Sequence, residues 1–229
     1  MKKFALRFYK TNSILVDYLG QSAHLQSAQS RRAAVRVAVI DDEDFTPQVK
    51  LQSYGYNLKA IGDIKSVSEV KDFDVILCDI LGVGMHFDHN VQGASLISEI
   101  KNEYPEKVVV AYTGGTPSAK ARKLISDKAD DLITKDIDNQ EWVERLDAIA
   151  FKAVDPHEIW NKIRNRFVHL GVDTKTILIL EDAYVRSILE GDNGLNRLSS
   201  ASYGDSIGGD VRAVISGLVA NSIFKVIVG

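Results

Sequence analysis

Four apolar runs in this 229-residue chain each lead into a polar residue able to do chemistry. V-A-V-I at 37–40 runs into Asp41 and Asp42, and V-I-L-C at 75–78 into Asp79. V-V-V-A-Y at 108–112 runs into Thr113, and L-I-T at 132–134 into Lys135. The end residues are carboxylates, a hydroxyl and an amine. In a parallel α/β sheet the carboxyl ends of the strands share one edge, and ligands bind there. Clustered carboxylates suit a hard cation, while a hydroxyl and an ammonium suit an anion. Together they describe a phosphoryl-transfer site.

The elements that must position these residues follow from periodicity and punctuation. Strands are expected at 35–40, 58–64, 75–79, 108–112 and 132–134. Helices are expected from Pro47 to about Tyr54, at 67–70, at 94–103, from Pro117 to about Lys128, and from Asn139 to about Lys152. Strands alternating with helices at this spacing imply an α/β fold with a doubly wound, five-stranded parallel sheet over 35–152. Additional helices flank it. Residues 12–33 read as an N-terminal helix capped by Asn12 or Ser13, with Ile14, Leu15, Tyr18 and Leu19 on one face. This makes 1–34 a basic helical arm. Residues 153–229 form a C-terminal helical region: one helix from Pro156 to Gly171, one from Asp173 or Thr174 to Leu189, a Gly/Ser/Asn-rich loop over 192–209, and a helix from Asp210.

Composition bounds the class. Hydrophobic residues make up 45% and charged residues 26%, as in a globular protein with a core. The single cysteine, Cys78, sits in an apolar strand and cannot form an internal disulfide, which fits the cytoplasm. The N-terminus lacks the apolar core and cleavage site of a secretory signal, and no stretch is long and apolar enough to span a membrane. The net charge of −3 conceals an asymmetry, with +5 over 1–34, −7 over 35–152 and −1 over 153–229. The acidic middle is a poor nucleic-acid binder. The basic arm has three candidate contacts, the acidic domain of its own chain, a membrane surface or RNA, and the first is favoured. The C-terminal region shows neither a helix-turn-helix nor a basic excess, so a DNA-binding output is disfavoured.

With V-I-D-D-E at 39–43, I-L-C-D-I at 76–80, V-A-Y-T-G-G at 110–115 and L-I-T-K-D at 132–136, the segment 35–152 resembles the receiver domain of two-component response regulators. The resemblance covers about half of the chain and implies a flavodoxin-like fold. It implies that Asp79 is the phosphoacceptor, and that Asp41, Asp42, Asp79 and the backbone carbonyl of Leu81 hold Mg²⁺. It further implies that Thr113 hydrogen-bonds a phosphoryl oxygen and that Lys135 pairs with the phosphoryl charge. The implied partners are a histidine kinase or phosphotransfer protein and a downstream protein target. Three departures stand out. Leu132 occupies the place of a frequent aromatic three residues before the lysine, Asp136 replaces a frequent proline, and the loop from Asp79 to Gly93 is long. That loop is open to two readings, a lid or a barrier to the usual kinase. A pseudo-receiver scaffold without phosphorylation is the alternative that keeps the fold.

Two other constellations carry chemistry. Met85-His86-Phe87-Asp88-His89 places two imidazoles and a carboxylate in one loop, either a transition-metal set or an ordinary polar loop. Arg164-Asn165-Arg166-Phe167-Val168-His169 has the form R-N-x-x-x-H and resembles the ribonuclease motif of HEPN domains. That resemblance implies acid–base work for His169 and phosphate contact for Arg164, with Asn165 between them and RNA as the substrate. The plain alternative is a surface helix with a favourable C-terminal histidine. The apolar positions Trp160, Phe167, Ile177, Leu180, Tyr184 and Ile188 suit a homodimer interface, or packing on the receiver's own surface.

Overall fold

The structure is a computed structural model that describes residues 27–192, 194–202 and 207–220. The stripe expected at Ile14, Leu15, Tyr18 and Leu19 lies outside them. The chain divides into two compact units. One is Ala28–Ala153, and the described part of the other begins essentially at Val154.

The first unit runs α1 (Ala28–Ala34), β1 (Arg36–Ile40), α2 (Gln48–Ser53), β2 (Asn57–Ala60), a 3₁₀ turn (Val67–Val70), β3 (Val75–Asp79), α3 (Gly93–Glu103), β4 (Val108–Thr113), α4 (Ala119–Lys128), β5 (Asp131–Thr134) and α5 (Asn139–Ala153). All strand pairings are parallel, in the order β2-β1-β3-β4-β5. That is the flavodoxin-like order, in which the strand sequence reverses beside β1 and opens a crevice at the carboxyl ends. Strands β3 and β4 are buried along their whole length, as a sheet covered on both faces requires. Side chains alternate across the sheet. Ala38, Ile40, Ile76, Cys78, Val109 and Ala111 join a core with Leu96, Ile97 and Ile100 of α3 and Ala121 and Ile125 of α4. The other face carries Tyr112, which packs on Trp142 of α5.

Strand β2 ends at Ala60, short of the expected residue 64, because the chain turns at Gly62, whose φ is +73°. The expected helix at 67–70 is a 3₁₀ turn, closed by a reciprocal Ser66/Glu69 capping box. Helix α1, expected as the end of the N-terminal arm, belongs to the first unit. Arg32 makes a two-pronged bond to Asp147 of α5, at 2.8 Å through Nε and 2.6 Å through its terminal nitrogen. The Tyr56 hydroxyl donates to the same carboxylate at 2.7 Å.

The second unit contains α6 (Pro156–His169), α7 (Thr174–Leu189), α8 (Asn196–Ser202) and α9 (Gly209–Ala220). Asp155 caps α6 and Asp173 caps α7. Helix α8 falls where a loop is expected. Its start is held by Asp192, which accepts from the Asn196 amide side chain at 2.7 Å and the Arg197 main chain at 3.2 Å, and Leu195 and Leu198 are fully buried. Packing of two leucines thus overrides a Gly/Ser/Asn-rich composition. Trp160 stacks on Tyr184 at 4.9 Å and meets Phe167 edge-on at 6.2 Å. The expected interface positions Trp160, Phe167, Ile177, Leu180, Tyr184 and Ile188 are all buried within the chain itself, so that stripe is core and not a free face. Among the described residues no helix is long and apolar enough to cross a membrane.

Candidate functional site

Strand register brings the end residues into line. Ile40 pairs with Cys78, Cys78 with Ala111 and Ala111 with Leu132. The next row is therefore Asp41, Asp79, Tyr112 and Ile133, of which Asp79–Tyr112 and Tyr112–Ile133 are themselves registered pairs. Thr113 stands one residue further on, and its carbonyl accepts the Lys135 main-chain N–H at 3.0 Å. Parallel strands of nearly equal reach thus assemble the site at one edge.

Lys135 is its centre. The ammonium lies 2.5 Å from Asp79 Oδ2 and 3.0 Å from Asp41 Oδ2. Both carboxylates are buried, while Asp42 is exposed. Carboxylate oxygens of Asp41, Asp42 and Asp79 lie within 4.8 Å of one another. Oxygen donors of that charge, gathered at one point, fit Mg²⁺. Leu81 sits at the rim, and its N–H reaches Asp79 Oδ1 at 3.2 Å, beside that of Ile80 at 2.6 Å. The buried Thr113 hydroxyl accepts from the Gly115 N–H at 3.2 Å, which orients it towards the loop after β4.

The electrostatics of the two buried carboxylates differ. Burial raises the Asp79 pKa above the ordinary aspartate range, and the Lys135 and Leu81 hydrogen bonds only partly offset it. Burial pushes Asp41 the same way but is outweighed by hydrogen bonds from Tyr112, the Glu43 main chain and Lys135, so its pKa is lowered. Lys135 loses some hydration, yet its two carboxylate partners raise its pKa. It is a permanent cation near neutral pH.

The loop after β3 is strapped down. The Gly82 N–H donates to the Gln92 side chain and the Gly84 N–H to Asp63, both at 2.9 Å. Ile80, Val83 and Val91 are buried. A side chain at Gly82, whose φ is +86°, would put its Cβ 2.2 Å from Asp42 Oδ1, and one at Gly93 would reach 1.9 Å from the Asp79 carbonyl oxygen. Backbone here approaches the site as closely as glycine permits.

Several of these residues carried no assigned role in the sequence. Tyr112 is the most important. It is fully buried, its hydroxyl donates to Asp41 Oδ2, and the Lys135 ammonium lies 4.9 Å from its ring centre. The available signal was an aromatic with a polar tip at a strand end, since a buried Tyr hydroxyl usually finds a partner. Leu132 is 49% exposed on edge strand β5. Beside it a cleft of about 580 Å³ is lined by Thr113, Thr116, Pro117, Ile125, Ala129 and Leu132.

The other constellations are not assembled in the same way. Among the described residues, the acidic group close enough to share an ion is Asp41, Asp42 and Asp79, and not His86, Asp88 and His89. Asp88 accepts from the Asn90 N–H at 2.8 Å and lies 3.6 Å from Lys120 Nζ. On α6, Arg164 turns to the buried Glu181 of α7 at 3.9 Å, whereas His169 Nδ1 donates to the Asn165 carbonyl at 2.7 Å.

The five-stranded unit has the flavodoxin-like fold that receiver domains share, as its all-parallel strand order shows. No family model and no curated protein matches the chain. Among solved structures, the chain is similar to a CheY-like response regulator receiver domain protein from Methanospirillum hungatei, with 17% identity, a TM-score of 0.43, and coverage of 52% of this chain and 95% of that one. The chemotaxis protein CheY4 of Vibrio cholerae is 19% identical, with a TM-score of 0.43 over 51% of this chain and 99% of its own. The N-terminal domain of a response regulator/sensory box/GGDEF protein from Carboxydothermus hydrogenoformans is 24% identical, with a TM-score of 0.41 over 50% and 93%.

Proposed function

We propose that this protein is a phosphorelay response regulator. It accepts a phosphoryl group on Asp79 from a histidine kinase or phosphotransfer protein in the cytoplasm, and it signals to a protein target through its helical additions. The observation that carries the reading is the Lys135 ammonium bridging two buried carboxylates, with Asp42 close enough to complete an oxygen site for a cation.

The chemistry follows from these positions. A carboxylate attacks phosphorus poorly because both groups are anionic. Mg²⁺ held by Asp41, Asp42, Asp79 and the Leu81 carbonyl would neutralise part of that charge. An Asp79 oxygen forms the O–P bond as the donor N–P bond breaks, and the freed imidazole nitrogen keeps its electron pair and later takes a proton from water. Asp79 Oδ1 is held by two main-chain N–H groups, so the carboxylate is oriented before the donor arrives. Lys135 shifts its contact from the carboxylates to the phosphoryl oxygens, and the Thr113 hydroxyl donates to another of them. Water subsequently cleaves the acyl phosphate, which releases phosphate and restores the carboxylate.

The test is intact mass after incubation with acetyl phosphate and Mg²⁺, beside Asp79→Asn. One added phosphoryl group in the wild type and none in the variant is expected. A folded wild type that gains none, and that binds no beryllofluoride with Mg²⁺, supports the scaffold instead.

A further inference from the structure

Asp41 is unusually well occupied for a residue expected to bind a cation. Its Oδ1 accepts the Glu43 N–H at 3.0 Å, and its Oδ2 accepts from both the Tyr112 hydroxyl and Lys135 Nζ. A carboxylate has roughly four lone-pair sites, so three are in use and little room is left for a metal. The three donors are not equally free to leave. The Glu43 amide is main chain. The Lys135 side chain is 28% exposed and can follow an incoming anion. Tyr112 is fully buried and cannot exchange its partner for water.

Tyr112 is also fixed by its ring. It meets Phe45 edge-on at 5.8 Å and Trp142 at 6.3 Å, and Phe45 meets Trp142 at 5.3 Å. Phe45 lies three residues beyond Asp42, and Trp142 is in the first turn of α5. The Trp142 indole N–H is buried without a hydrogen-bond partner. Ring packing holds this tryptophan, with no polar anchor to pin it against a shift of its neighbours.

Resting on the receiver reading above, we propose that Tyr112 is a positioning residue. Its hydroxyl keeps Asp41 Oδ2 aimed into the site when Lys135 leaves, and its ring passes the occupancy of the cation site through the Phe45–Tyr112–Trp142 cluster to α5. The ligand is a divalent cation with oxygen preference. The route leads to the face of the sheet opposite α3 and α4, away from the cleft beside Leu132.

The experiment titrates the full-length protein with MgCl₂ and follows calorimetric affinity and tryptophan fluorescence together. The chain has two tryptophans, Trp142 and Trp160, so the signal can be assigned. Wild type is expected to bind with a saturable fluorescence change. Tyr112→Phe should weaken Mg²⁺ binding by about tenfold, the usual cost of removing a partner that orients a metal ligand. Trp142→Phe should keep the affinity and lose the fluorescence change. Unchanged affinity in Tyr112→Phe overturns the positioning role, even if thermal stability falls, because a merely structural tyrosine would lower stability alone. A fluorescence change that survives Trp142→Phe comes from Trp160 and overturns the route to α5. In both cases phosphoryl uptake on Asp79 leaves the receiver reading standing. A folded wild type that binds no Mg²⁺ overturns both.

Discussion

Lys135 stabilises two carboxylates that burial would otherwise drive to hold protons. Their responses to pH have opposite signs. Asp41 has a lowered pKa when folded, so its contribution to stability is present above the unfolded pKa and is lost as pH falls through the folded value. Asp79 has a raised pKa when folded, so its ionised form costs stability at neutral pH, and that cost disappears as pH falls through the raised value. Asp79→Asn should therefore raise the urea midpoint at neutral pH, where the ionised carboxylate carries its burial cost. Asp41→Asn should lower the midpoint. Equal shifts of the same sign would contradict the assignment. Without Mg²⁺, Asp79 should take up its proton at a higher pH than an exposed aspartate does. Lys135→Met should slow phosphoryl uptake by about 10²–10³-fold, as loss of one preorganised charge contact does. Carboxyl titration by NMR in the absence of Mg²⁺ checks the first, and initial rates by mass spectrometry check the second.

Elements set the precision of the site. Register places Asp79 beside Tyr112 without help from any loop. The approach of α3 is limited by Gly93, where an added Cβ would meet a backbone oxygen that cannot move aside. Gly93→Ala should cost about 1–3 kcal/mol, the range for overpacking a dense interior, and chemical denaturation measures it. Helix α1 is tied to α5 by the Arg32–Asp147 pair, with the Arg32 guanidinium 5.0 Å from the Tyr56 ring centre. Burial pushes the Asp147 pKa up, but the hydrogen bonds from Arg32 and Tyr56 outweigh it and hold the pKa below the usual range. Arg32→Ala should cost about 1.5–3 kcal/mol, as expected for a charge-assisted, two-pronged bond that is largely buried. An unchanged midpoint would detach α1 from the unit. The strands and most helices were legible because apolar period and caps mark them locally. Helix α8 was not, since Leu195 and Leu198 are buried by contacts distant in sequence, and composition alone favours a loop there.

At the scale of the whole molecule, the chain falls into two compact units. Ala28–Ala153 carries the complete acidic site, its aromatic cluster and its own two-sided core. A fragment of residues 28–153 should fold cooperatively and take a phosphoryl group on Asp79 at a rate within a few-fold of the full chain. Circular dichroism with intact mass tests this, and an unfolded fragment would show that the unit depends on the rest of the chain. In the second unit the large aromatic and aliphatic side chains of α6 and α7 are mostly buried, and Val168, Ile179 and Leu189 are its exposed large hydrophobics among the described residues. A protein-contact output from these helices would have to use such positions and not the Trp160–Tyr184 stack.

The four strand ends were readable from residue order alone, because each polar residue follows an apolar run and parallel strands share one carboxyl edge. Their types suit a particular chemistry, with acids for a cation and Thr113 and Lys135 for an anion. Tertiary structure decided how they interact. It gave Lys135 two partners, separated the pKa directions of Asp41 and Asp79, and brought Tyr112 to the Asp41 carboxylate from 71 residues away. Such contacts depend on strand register and burial, which are properties of the assembled sheet and are not local signals in the chain.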